Sequence, residues 1–235
     1  SEYFEHFKGQ RKKELSKTKV TPDVTGPKRY KQLAKIVEHY KPSTIVETGT
    51  WNGGRAIEMS LAAFKHTDEV HYIGFDLFEE ATEELDHIEL NSKPHNMLEA
   101  VEFRLSEFQQ VMHKSNKSFT FELHKGDTKK TLPLVNSVND ADFAYIDGGH
   151  SYETVKSDFE NLRHIPAIVF DDYFTKDEQG RMPENDGVNV LIKEIVAFAK
   201  IVLPSIDGVK DGGVTHLCFV SMKKDLKKLP EELTR

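Results

Sequence analysis

The chain of 235 residues is poor in several things at once. It has one cysteine, Cys218, and one tryptophan, Trp51. A lone thiol rules out an intrachain disulfide and a thiolate-rich zinc site, which fits a reducing compartment. No apolar run approaches the ~20 residues that span a bilayer, and the first residues lack a secretory apolar core. The expectation is a cytoplasmic protein with no membrane partner. Positive charge is also in deficit: 32 Lys and Arg against 39 Asp and Glu give a formal charge of -7. A broad nucleic-acid-binding face is therefore excluded. The basic run "GQRKKELSKTK" reads as a solvated part of an amino-terminal arm, residues 1–26, which is a candidate for pairing two copies in a homo-oligomer. No repeat, low-complexity tract or interdomain linker stands out, so residues 27–235 read as one domain.

What is present is regular alternation. From Pro27, Leu33, Ile36, Val37 and Tyr40 recur at helical spacing, and "TIVETG" follows as a short apolar strand. A helix from Gly53 is expected to turn Ile57, Leu61 and Phe64 to the core. "VHYIGFD" is a second strand, and Leu98, Val101, Leu105, Phe108 and Met112 mark a long amphipathic helix. "FTFELHKGD", "DFAYID" and "AIVFDD" are the third to fifth strands. Tyr152, Val155, Phe159 and Leu162 line one helix, and Val188, Leu191, Ile192, Ile195 and Ala199 another. "AKIVLPSI" and "VTHLCFVSM" close the chain as strands joined through the glycine-rich "DGVKDGG". Strand–helix alternation implies a mainly parallel sheet covered on both faces, and the short last connection implies one antiparallel strand. The acidic segment 79–96 exceeds what a crossover needs; it is read as an inserted helical lid, or else as a plain solvated helix.

Ligands of open α/β sheets gather at the carboxyl ends of the strands. Here those ends read Glu47-Thr-Gly49, Asp76, Gly126-Asp127, Asp147-Gly-Gly-His150 and Asp171-Asp172. In "VETGTWNGGR" the spacing of Gly49 and Gly53 is not G-x-G-x-x-G, yet it removes Cβ atoms where backbone must approach a ligand. Asp76 is placed to accept two hydrogen bonds from a ribose diol. Asp127 is placed to reach an adenine amino group. Each acid could instead cap a helix.

In order and spacing, "IVETGTWNGGRAIEMS", "YIGFD", "HKGDTKKTLP" and "FAYIDGGHSYETVKSDFENL" resemble the class I S-adenosylmethionine-dependent methyltransferases. The resemblance covers about residues 28–222. It implies a three-layer, Rossmann-like fold with a seven-stranded sheet that is parallel except for one strand. It also implies that Glu47, Gly49, Thr50 and Gly53 hold the methionine part of the cofactor. Asp76 would hold its ribose and Asp127 its adenine, with Asp147 beside it.

Methyl transfer to oxygen needs an aligned hydroxyl and a group to take its proton. A divalent cation, Mg²⁺ by preference, would stabilise the developing alkoxide, and Asp147, Asp171 and Asp172 offer hard oxygen ligands for it. The pattern is similar to metal-dependent O-methyltransferases that modify sugars and macrolides, which places His150 as the base with Asp147 in the same catalytic set. The doublet Asp171-Asp172 departs from the Asp-Asn of catechol-type enzymes, favouring a sugar or glycosylated metabolite as the small hydroxylated acceptor. Against this stand plainer roles: Asp147 as a helix cap, His150 as a surface turn residue, and the doublet as a cap plus an exposed acid. Two rival functions remain open at this point. One is a metal-dependent hydrolase using the same acids and His150, and the other a non-catalytic protein that binds the cofactor or a glycan.

Overall fold

A computed structural model describes residues 27–210, 212–222 and 228–234; the expected arm, 1–26, lies outside them. The chain runs α1 (Lys28–Tyr40), β1 (Thr44–Thr48), α2 (Gly54–Ala63), β2 (Glu69–Asp76), α3 (Glu83–Ile88), α4 (Leu98–Lys114) and β3 (Ser118–Lys125). It continues α5 (Thr128–Thr131), β4 (Phe143–Ile146), α6 (Tyr152–Leu162), β5 (Ile168–Thr175), α7 (Gly187–Glu194), β6 (Phe198–Val202), β7 (Asp207–Gly208), β8 (Val214–Met222) and α8 (Glu231–Thr234). The sheet order is β3-β2-β1-β4-β5-β8-β6, and the two-residue β7 pairs with β8. β1 to β5 pair in parallel, whereas β8 is antiparallel to β5, β6 and β7. This is the expected α/β fold, with a short eighth strand added to the seven.

Period-two alternation divides the core between the two faces of the sheet. Ile45 of β1 joins Leu33, Ile36, Met59, Leu105 and Phe108 on one side, while its neighbour Val46 joins Val155, Phe159, Leu162 and Leu191 on the other. Helices α1, α2 and α4 cover the first face and α6 and α7 the second. Among the described residues no helix is long and apolar enough to cross a membrane.

Two expected boundaries differ. α2 turns the expected Phe64, Ile57 and Leu61 to the core, the last two half-buried, but its most buried residues are Ala56, Met59, Ser60, Ala62 and Ala63. Small residues let this helix lie close to the sheet and to α1. α7 stops at Glu194, so Ala199 belongs to a strand, where it pairs with Ser221. There Phe198 is buried edge-on against Phe159, 5.1 Å between ring centres. Most consequential, β5 does not end at its acids but continues to Thr175, with a register break between Phe170 and Tyr173.

Candidate active site

The first site element is the β1–α2 turn. Gly49 and Thr50 donate their N–H groups to the Phe75 carbonyl at 2.8 and 3.2 Å, tying the turn to the end of β2. Gly49 has φ +87°, and a Cβ there would lie 2.1 Å from the Asp147 carbonyl oxygen. Only glycine lets β1 leave the sheet so close to β4. Gly53, at φ +75°, begins α2 and faces Val101 and Leu105 of α4. The Thr50 hydroxyl is turned inward to the Tyr72 hydroxyl at 3.1 Å.

Glu47 is fully buried. One carboxyl oxygen accepts from the Tyr72 hydroxyl, and the other, Oε1, has no partner among the described residues. Burial pushes its pKa up to about 8, against the Tyr72 hydrogen bond and with help from the Asp147 charge. A buried acceptor without a donor calls for one. Asp76 accepts from the Trp51 and Phe78 N–H groups at 2.7 and 3.0 Å, one on each oxygen, which leaves lone pairs on both for a diol. Asp127 caps α5 by accepting from Lys129 N–H at 3.0 Å, so its plainer reading is realised at least in part.

The second element is the junction of β4 and β5. Ile146 pairs with Phe170, so Asp147 and Asp171 are the next residues on adjoining strands. The register break then lifts Asp171 and Asp172 out of the ladder. Asp172 has φ +56°, a left-handed conformation that Asp tolerates better than most residues, and its N–H donates to Asp171 Oδ1 at 2.9 Å. A bulge re-aims side chains, and this one turns Asp172 toward His150, whose Nε2 lies 2.8 Å from Asp172 Oδ2. Burial opposes charge on the imidazole, but the hydrogen bond and charge of Asp172, with Asp147, prevail and carry it up to about 9. Burial likewise opposes charge on Asp172, yet the His150 hydrogen bond holds that carboxyl below its ordinary range. Asp147 is pushed well above its ordinary value, first by burial and then by the charges of Asp171 and Asp172.

A family model described as a methyltransferase domain matches residues 46–173, over half of the chain and all of the elements just described. The chain belongs to this methyltransferase family. Solved structures carry the same fold at low identity. The O-methyltransferase TomG from Streptomyces achromogenes, in complex with S-adenosylmethionine, is 15% identical with a TM-score of 0.54, over 82% of this chain and 79% of that one. Cofactor-bound Rv0187 from MTB is 13% identical (TM-score 0.55, 87% and 84% covered), and the Podospora anserina methyltransferase PaMTH1 is 13% identical (TM-score 0.51, 83% and 77% covered). No curated protein sequence matches the chain. The recognition of a class I methyltransferase is thus borne out.

Two parts of this methyltransferase's site were not foreseen. The first is α1. Arg29, in its opening turn, donates from Nε to both oxygens of Asp171 at 2.9 and 3.1 Å and from Nη2 to the Tyr30 hydroxyl at 2.9 Å. The guanidinium groups of Arg29 and Arg55 lie over the Tyr30 ring, 4.4 and 3.7 Å from its centre. Asp207 accepts the N–H groups of Lys28 and Arg29 at 3.0 Å each and so caps this helix from 178 residues away. A signal was available: two cations open α1 and no acid does, against the preference of a helix dipole.

The second is Asp158 of α6, fully buried beneath the Gly148 turn and raised by burial to about 7.

The expected cation centre does not assemble. Asp171 receives Arg29 and the Asp172 N–H on one oxygen, and Arg29 and the Tyr145 hydroxyl (2.9 Å) on the other. A carboxylate offers about four acceptor positions, and three donor hydrogens, the Nε–H shared between both oxygens, already engage both oxygens of Asp171 beside a fixed guanidinium. Among the described residues no three His, Cys, Asp or Glu are grouped to hold a metal ion. The residues therefore do not fit a divalent ion as they stand.

The segment 79–96 contains one α-helix, the six-residue α3, preceded by a 3-10 turn at Phe78–Glu80. Beyond it Glu89 accepts from the Ser151 N–H and hydroxyl and from the Thr154 hydroxyl at 2.7, 2.9 and 2.6 Å, beside His150. Trp51 donates to the Pro94 carbonyl at 2.9 Å, and Lys93 stands over its ring.

Proposed function

We propose that this methyltransferase transfers a methyl group from S-adenosylmethionine to a hydroxyl of a small acceptor, a sugar or glycosylated metabolite being the class the acids favour. The observation that carries the reading is the His150–Asp172 pair, set on the strand end next to the glycine turn and the unpartnered Glu47 Oε1. Glu47, Gly49 and Gly53 would hold the methionine end of the cofactor, Asp76 the ribose, and the residues around Asp127 the adenine. When bound, the cofactor supplies a methyl carbon made electrophilic by its sulfonium. The unpartnered Glu47 oxygen suits the cofactor's ammonium group, which would also draw Glu47 into its charged form.

The chain's own groups do the proton chemistry. In neutral His150 the Nε2 proton goes to Asp172, which leaves Nδ1 as the basic nitrogen. Nδ1 has no described protein partner and is free to accept the acceptor's hydroxyl proton. Asp172 then stabilises the imidazolium that forms. Asp147, with no hydrogen bond from a described residue, is the carboxyl available to orient a second hydroxyl on a vicinal diol. The insertion, held to the amino end of α6 by Glu89, covers the acceptor side and excludes water. Likeness to the fold of an O-methyltransferase supports oxygen as the target.

The test is calorimetry with S-adenosylmethionine, followed by mass spectrometry of products from methyl α-L-rhamnoside and 3,4-dihydroxybenzoate. Cofactor binding and a methyl ether on the sugar are expected. No cofactor binding at millimolar concentration would reject the reading. Metal-dependent ester cleavage that ignores the cofactor would return the hydrolase.

A further inference from the structure

The acid cluster has a cation of its own. Asp171 is 1% exposed at its side chain and Arg29 14%, so the pair is shielded from water and weakly screened. Arg29 is not a chance surface partner. Its backbone N–H and that of Lys28 are fixed by Asp207, its Nη2 by Tyr30, and its Nη1 lies 3.5 Å from Asp207. Tyr145, from β4, donates a further hydrogen bond to Asp171 Oδ2 at 2.9 Å. Across the cluster, Asp172 is matched by His150.

We infer that Arg29 is the resident counter-ion of this site, standing where the sequence pattern suggested a divalent metal. It is a positioning residue: it fixes Asp171, and through the Asp172 N–H the bulge that aims Asp172 at His150. The first turn of α1 is thereby part of the active site, and the acid cluster takes up no divalent ion while Arg29 is in place. This rests on the same site as the proposed methyl transfer, but it concerns the free protein and stands apart from cofactor or acceptor.

The experiment is Mn²⁺ titration of the full chain, followed by the electron paramagnetic resonance signal of the free ion, with calorimetry for S-adenosylmethionine run separately. The protein as it is should show no stoichiometric Mn²⁺ site up to ~1 mM, because both oxygens of Asp171 are engaged and the Arg29 cation stands against them. Arg29→Ala leaves buried carboxylates without their cation, so it should bind Mn²⁺ at least ~tenfold more tightly, and adding Asp171→Asn should remove the gain. Arg29→Lys keeps the charge and should restore exclusion of the ion. A merely structural Arg29 would move none of these ion signals. If Arg29→Ala does not fold, the unaltered chain and Arg29→Lys still decide the matter. A stoichiometric Mn²⁺ site in the unaltered chain, lost in Asp171→Asn, overturns the inference. Failure of cofactor binding would sink the methyl-transfer reading and leave the Mn²⁺ result untouched.

Discussion

If His150 is the base, the pH dependence of turnover should carry the mark of Asp172. With the imidazole held up to about 9 in the free protein, only ~3% of it is neutral at pH 7.5. The logarithm of kcat/KM should therefore rise with unit slope through neutrality and level off near pH 9. Asp172→Asn removes the charge while keeping a side chain that accepts the left-handed backbone at φ +56°. Its ascending limb should fall back toward pH ~6.5, raising the neutral fraction at pH 7.5 about thirtyfold even as the orienting hydrogen bond weakens. Stability must follow the same shift. The folded pKa lies above the unfolded one, so the pair's contribution is complete below pH ~6.5 and is lost as pH rises through about 9. The shift corresponds to ~3 kcal/mol at most, less for an imidazole 30% exposed. Initial rates across pH 6 to 10 and thermal melts over the same range read both effects. A limb already near 6.5 in the unaltered enzyme, or one that Asp172→Asn leaves in place, refutes the assignment of His150 as a base tuned by Asp172.

Other consequences can be checked more briefly. The raised pKa of Glu47, about 8, means that its burial costs stability increasingly as pH climbs from the ordinary carboxylate range to about 8. Glu47→Gln should melt higher than the unaltered chain at pH 9 and alike at pH 4, while losing cofactor affinity by at least ~tenfold in calorimetry. Gly49→Ala sets a Cβ against the Asp147 carbonyl at an unfavourable φ; a loss of at least ~3 kcal/mol, seen as a Tm lower by roughly 10 °C, is expected. Glu89→Ala removes three hydrogen bonds between the insertion and α6, so limited proteolysis should cut within 83–97 faster and the acceptor KM should rise with little change in Tm. Unchanged cleavage kinetics would mean that Glu89 does not hold the insertion down.

Much of this architecture could be read from local pattern. Parallel strands buried on both faces are continuous apolar runs, and their carboxyl ends are where chain leaves the core, so acids there stand out. That is why Glu47, Asp76, Asp127, Asp147 and Asp171 were all recognisable as candidates. Pattern failed where one residue could serve two elements. Ile195 and Ala199 keep helical spacing across a boundary that the burial of Phe198 places between them. "AIVFDD" reads as a strand that ends at its acids, yet a bulge accommodates both and β5 runs on beside β8.

The counter-ion was beyond pattern for a different reason. Arg29 and Asp171 are 142 residues apart, and nothing near either one names the other. A carboxylate on a strand end can be recognised from its own neighbours, but whether it awaits a metal depends on which donors the rest of the fold brings to its lone pairs. Here a helix that precedes the sheet in sequence delivers the guanidinium, and a tyrosine buried in β4 delivers the hydroxyl. The same acids with a hydrophobic residue at position 29 would have one donor fewer on Asp171 and one cation fewer beside it, which is closer to what a divalent ion requires. On the inference drawn above, the acids alone do not set metal dependence in such a site; the opening turn of α1 bears on it as well, and Arg29→Ala tests that in a single side chain.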